Sequence, residues 1–69
     1  MTLDKTRLET ARRYVVDARK IVEHQRAKIE QEKQLGVSTA SSESVLKTME
    51  QALAYFEDDL KGLMDGTRP

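Results

Sequence analysis

Gly36-Val37-Ser38-Thr39 decides how this chain folds. Glycine takes the left-handed conformation that ends a helix at no steric cost. Val37 is expected to fold back onto the last turn of the helix before it. Ser38 can cap a second helix by accepting a bond from a free amide, with Thr39 in that helix's first turn. The alternative start, Ser41-Ser42-Glu43, makes a longer loop. Ser38 is preferred because it gives helices of similar length.

Upstream of the turn the apolar period is helical. With Leu8 as heptad position a, Val15, Val22 and Ile29 also fall at a. Ala11, Ala18, Gln25 and Glu32 fall at d, and Tyr14, Ile21, Lys28 and Leu35 at g. The apolar arc spans a, d and g, which is wider than a two-stranded seam. Position e instead carries five basic residues seven apart: Lys5, Arg12, Arg19, Arg26 and Lys33. Thr2 or Asp4 is expected to cap the start.

Downstream the pattern repeats. Leu46, Leu53 and Leu60 occupy a; Met49, Phe56 and Leu63 occupy d; Val45, Ala52 and Asp59 occupy g. Position e carries Glu43, Glu50 and Glu57. In an antiparallel pair e faces e and g faces g, so Lys33 is expected near Glu43, Arg26 near Glu50 and Arg19 near Glu57. Exposed pairs of this kind stabilise by only ~0–1 kcal/mol each, and their main effect is on register. Small Ala11 and Ala18 opposite Leu60, Leu63 and Phe56 let the seam close. Gly62 weakens the last turns by roughly 1 kcal/mol relative to Ala.

The expected fold is all-α: an antiparallel two-helix hairpin with helix 1 at about 3–35, a turn at 36–38, helix 2 at about 39–64 and a frayed tail at 65–69. Inside one hairpin the g flanks have no partner. Tyr14, Ile21, Leu35, Val45 and Ala52 are therefore expected to form an exposed apolar strip, the kind of surface that marks an interaction site. A second hairpin related by a two-fold axis would cover it, giving a homodimeric four-helix bundle.

Size points the same way. The chain has 69 residues and no Cys, so no disulfide supports the core. Chains this short seldom stabilise themselves alone, and association is the common remaining route. Twelve basic and twelve acidic residues balance overall. Residues 1–35 carry nine basic and six acidic residues, net +3; residues 36–69 carry three and six, net −3. No apolar leader is visible, and the longest apolar run, Ala52-Leu53-Ala54-Tyr55-Phe56, is far below the ~18 residues of a membrane span. A cytoplasmic location is expected.

Candidate chemistry is sparse. The basic stripe could bind phosphates, but the matching Glu stripe accounts for most of it. Arg13 and Lys20, at f, escape that account, and with Arg12 and Arg19 they form a basic patch that could contact nucleic acid. His24, the one histidine, has Lys20, Ile21, Ala27 and Lys28 at helical neighbour positions and no fellow metal ligand. Glu57-Asp58-Asp59 diverge around a helix and read as a solvated face. Gln25 at d reads as a polar residue that bonds across the interface and fixes register, and Glu32 at d as lying near the open end by the turn. No phosphate loop, nucleophile elbow or zinc spacing occurs. No catalytic residue, cofactor or metal is expected.

Gln25-Arg26, the Gly36-Val37-Ser38-Thr39 turn and the Leu46-to-Leu53 segment together resemble a group of short, uncharacterised bacterial two-helix proteins with a Gly-x-(Asp/Ser)-Thr turn. The resemblance covers about residues 8–64. The chain departs from that pattern with Val45-Leu46 where Leu-Leu is usual, and with Ser41 where an acidic residue would complete a capping box. The resemblance implies the hairpin fold and brings no activity with it. The functional expectation is a non-enzymatic protein that acts through self-association or a partner helix and regulates that partner. The alternative is RNA binding through Arg12, Arg13, Arg19 and Lys20. No membrane partner is expected, because the apolar face lacks Trp and helix 2 is acidic.

Overall fold

In the computed structural model the described residues are 3–66, with side chains described from residue 6 onward. The expected caps at Thr2 and Asp4, the side chain of Lys5 and the tail beyond Gly66 lie outside them. Helix α1 runs Leu3–Leu35 and helix α2 Ala40–Asp65. The two pack against each other as a hairpin about 54 Å long and 16 Å wide.

Gly36 has φ +74°. Its amide donates to the Lys33 carbonyl at 3.1 Å, and the Val37 amide donates to the Glu32 carbonyl at 3.1 Å. This pair of bonds satisfies the last carbonyls of α1 and fixes the exit direction of the chain. Gly66 ends α2 the same way, at φ +72°, with its amide directed to the carbonyls of Gly62 and Leu63.

The start of α2 differs by one residue from the expected boundary, and its cap is Thr39 rather than Ser38. The Thr39 carbonyl accepts the first helical bond, from the Glu43 amide at 2.8 Å. Its side chain does not cap the backbone. Thr39 Oγ1 donates instead to Glu43 Oε2. Ser38 Oγ accepts from the Ala40 amide at 3.3 Å, which tightens the turn without starting the helix.

The buried apolar residues all come from α1: Ala11, Val15, Ala18, Val22 and Ile29. The large apolar residues of α2 that face them, Leu46, Met49, Leu53, Phe56, Leu60 and Leu63, are each half-buried. A single partner helix covers only one side of a leucine or phenylalanine. Each buried Å² of such surface stabilises by about 25 cal/mol, so these six residues leave part of that contribution unrealised. Hairpin packing alone therefore gives a thin core for this length.

Register is set at two levels. On one flank Arg19 meets Glu57 at 3.1 Å and Arg26 meets Glu50 at 2.8 Å. The expected Lys33–Glu43 pair does not form among the described residues, because the Glu43 carboxylate turns to Thr39. Lys33 and Glu43 instead share the rim of a shallow hollow with Arg26, Ile29, Glu30 and Leu46. In the seam, Gln25 Nε2 donates to the Ser42 carbonyl at 2.9 Å. Ser42 is itself buried, and its hydroxyl donates to Glu32 Oε2 at 3.0 Å. Glu32 Oε1 is buried without a partner. An orphan acceptor costs stability, which the Ser42 bond offsets only in part.

Candidate functional site: the d and g flank

The two long sides of the hairpin differ in chemistry. On the e side, the two Arg–Glu pairs arch over Val15, Ile29, Leu46 and Leu60, residues that line hollows beside them. On the g side no ion pair covers Tyr14, Ile21, Val45 or Ala52 among the described residues. Tyr14 is 53% exposed, Ile21 50% and Val45 42%, and Ala52 is exposed as well.

The cause lies at the d positions. Ala11 and Ala18 are small, so Phe56 opposite them is not wrapped by α1. Its ring is met on this side by Tyr14, with centroids 5.5 Å apart and planes tilted by 39°. Tyr55 adds an edge-on contact at 5.8 Å. Tyr14 and Asp59 line one hollow with Ala11 and Leu63, so they stand at one level along the hairpin. One heptad along, Ile21 comes level with Ala52; one further, Lys28 comes level with Val45. Tyr14, Ile21, Val45 and Ala52 thus form one strip, with half-buried Phe56 behind its Tyr14 end. Leu35, 77% exposed, stands one heptad beyond the Lys28–Val45 level, about 10.5 Å from it at 1.5 Å per residue, toward the turn.

Phe56, which its d position places in the seam, also borders this surface through Tyr14. The signal that could have found it is the pairing of a large d residue on one helix with Ala at d on the other. Val16, Tyr55 and Met64 are also exposed, at 48%, 65% and 59%, away from the g positions.

The basic residues are on the surface. Arg12, Arg13, Arg19 and Lys20 are all exposed. Arg19 is engaged by Glu57, with both its Nε and Nη2 directed to Glu57 Oε2. No ion pair within the described residues engages Arg12, Arg13 or Lys20.

His24 is exposed, and no group of three or more His, Cys, Asp or Glu among the described residues is placed to hold a metal. Three hollows along the seam, lined by described residues, measure about 190, 300 and 230 Å³, at or below the lower end of small-molecule sites. No helix among the described residues is long and apolar enough to cross a membrane. No protein-family model, curated protein or solved structure matches the chain.

Proposed function

We propose that this chain is a non-enzymatic helical interaction protein whose working surface is the d and g flank, and that it self-associates there into a four-helix bundle. The observation that carries the reading is the asymmetry of the two flanks. One is closed by Arg19–Glu57 and Arg26–Glu50, while the other leaves Tyr14, Ile21 and Val45 about half exposed above half-buried Phe56. Contiguous apolar surface on a small protein costs solubility unless something covers it. Covering it would also bury more of Phe56 and Leu63, the d residues that border this flank. A partner's helix laid in the same groove is the other occupant this chemistry accepts, and through it the chain could regulate that partner.

Ile21→Glu tests the reading. Ile21 is half exposed in the hairpin, so the substitution leaves the monomer fold intact while placing a charge at the centre of the strip. Loss of dimer with helicity retained is the expected result. A dimer of unchanged affinity contradicts the reading.

Nucleic-acid binding is the second reading, favoured by exposed Arg12, Arg13 and Lys20, which lack ion-pair partners within the described residues. It requires binding that weakens steeply with salt and on joint reversal of Arg13 and Lys20 to Glu. Absence of RNA or DNA binding at low salt removes it.

A further inference from the structure

Val16 is 48% exposed and stands at heptad position b, on the outer side of α1 and away from the d and g flank. Its helical neighbours are all cations. Arg12 and Arg13 lie four and three residues before it, and Arg19 and Lys20 three and four residues after it. Side chains at these spacings are adjacent on a helix surface, with Cβ atoms about 5–6 Å apart. All four are exposed. Arg19 is held by Glu57 and closes the ring on the e side. The open charge of the ring comes from Arg12, Arg13 and Lys20, which no ion pair engages among the described residues. An exposed apolar side chain thus sits at the centre of a basic ring.

The ring is bounded. Glu9 and Glu23 share position b with Val16, one heptad to either side, about 10.5 Å from it at 1.5 Å per residue. Asp17 borders it at position c, and Glu57 borders it from α2. A nucleic-acid strand following α1 would carry its phosphates past Glu9 or Glu23, where like charges meet. The one aromatic residue between Glu9 and Glu23 is Tyr14, which lies on the other flank against Phe56. Bases therefore find no stacking platform beside this ring. A phosphate chain also leaves Val16 uncovered. The surface matches something short, anionic at its edges and apolar at its centre.

We infer that the face around Val16 docks an acidic segment of a partner protein. One apolar side chain of that segment seats on Val16, and carboxylates on either side of it meet Arg12, Arg13 and Lys20. An acidic amphipathic helix has this layout, since residues three and four positions from a leucine share its face. The charges steer the encounter and set orientation, while the apolar contact discriminates the segment from a plain polyanion. The surface is separate from the d and g flank, so a self-associated bundle leaves it open.

The probe is a synthetic helical peptide with one leucine and glutamates three and four residues to either side of it. Titrated into the isotope-labelled chain at low salt, it is expected to shift the amide resonances from Arg12 to Lys20, and to bind less as salt rises. Joint Arg13→Glu and Lys20→Glu weakens binding by roughly tenfold, the scale of two exposed ion pairs turned repulsive. Val16→Ser weakens it several-fold with helicity retained, because the side chain is exposed. A peptide with serine in place of the leucine shows a similar loss. Failure of the leucine peptide to bind at low salt overturns the inference. Equal binding of the leucine and serine peptides also overturns it, since the patch then responds to charge alone. So does an RNA hairpin that binds more tightly than the peptide and is indifferent to Val16→Ser, which returns the patch to the nucleic-acid reading. Ile21→Glu, on the other flank, leaves the titration unchanged, so the failure of the self-association reading and the failure of this one are distinguishable.

Discussion

Tyr14 stacks against Phe56 with ring centroids 5.5 Å apart, yet 53% of Tyr14 stays open to solvent. The ring is thus half engaged by its own hairpin, and its outer face is free to meet another surface. Tyr14→Ala is expected to cost the monomer about 1 kcal/mol, the scale of one aromatic pair. It should weaken association by at least tenfold, as truncation of a central aromatic does. Chemical denaturation and sedimentation read the two effects separately. Equal, small effects on both would remove Tyr14 from the interface.

The Arg26–Glu50 pair is exposed, with its side chains 60% and 44% open, so its contribution to stability is small. A double-mutant cycle with Ala is expected to return ~0–1 kcal/mol of coupling. Charge reversal asks more of the register. Arg26→Glu places two carboxylates together, and adding Glu50→Arg should restore the original melting temperature. Failure to restore would mean that the pair does not help set the hairpin register.

Gln25 reaches across the seam to the Ser42 carbonyl at 2.9 Å and is buried there. Gln25→Ala removes this bond and leaves a gap, so the urea midpoint should fall by the equivalent of about 1–3 kcal/mol. Gln25→Leu refills the space and should recover most of that loss, since the Ser42 carbonyl lies within a helix. A neutral Gln25→Ala would show that the seam relaxes around this position.

Gly36 sits at φ +74°, and a Cβ built on it meets nothing within 4 Å. The cost of Gly36→Ala is therefore conformational and should be about 1 kcal/mol. A synthetic chain with D-alanine at 36 favours positive φ and should be at least as stable as the glycine form. If both alanines destabilise equally, backbone handedness is not what the position demands.

Much of this architecture is legible in the sequence. Gly36 marks the break because few other residues tolerate its backbone conformation. The matched e stripes place Arg19 by Glu57 and Arg26 by Glu50 because the heptad fixes both rotation and level. What escapes is local competition. Glu43 has two possible neighbours, and Thr39, one turn away on its own helix, takes it from Lys33. Ser42 reads as capping chemistry, one of a run of Ser and Thr, and becomes the buried partner of Gln25 and Glu32 only once the helices pack. Position d likewise hides Phe56, because its half-burial depends on alanines in the other helix. The exposure of Tyr14, Ile21, Leu35, Val45 and Ala52 is predictable from heptad position g.

The most direct test of the account is sedimentation equilibrium of the unmodified chain across micromolar concentrations, with helicity followed by circular dichroism. A reversible dimer is expected, and its formation should increase helical stability, since association on this flank buries more of Phe56 and Leu63. A folded chain that remains monomeric throughout that range would contradict it.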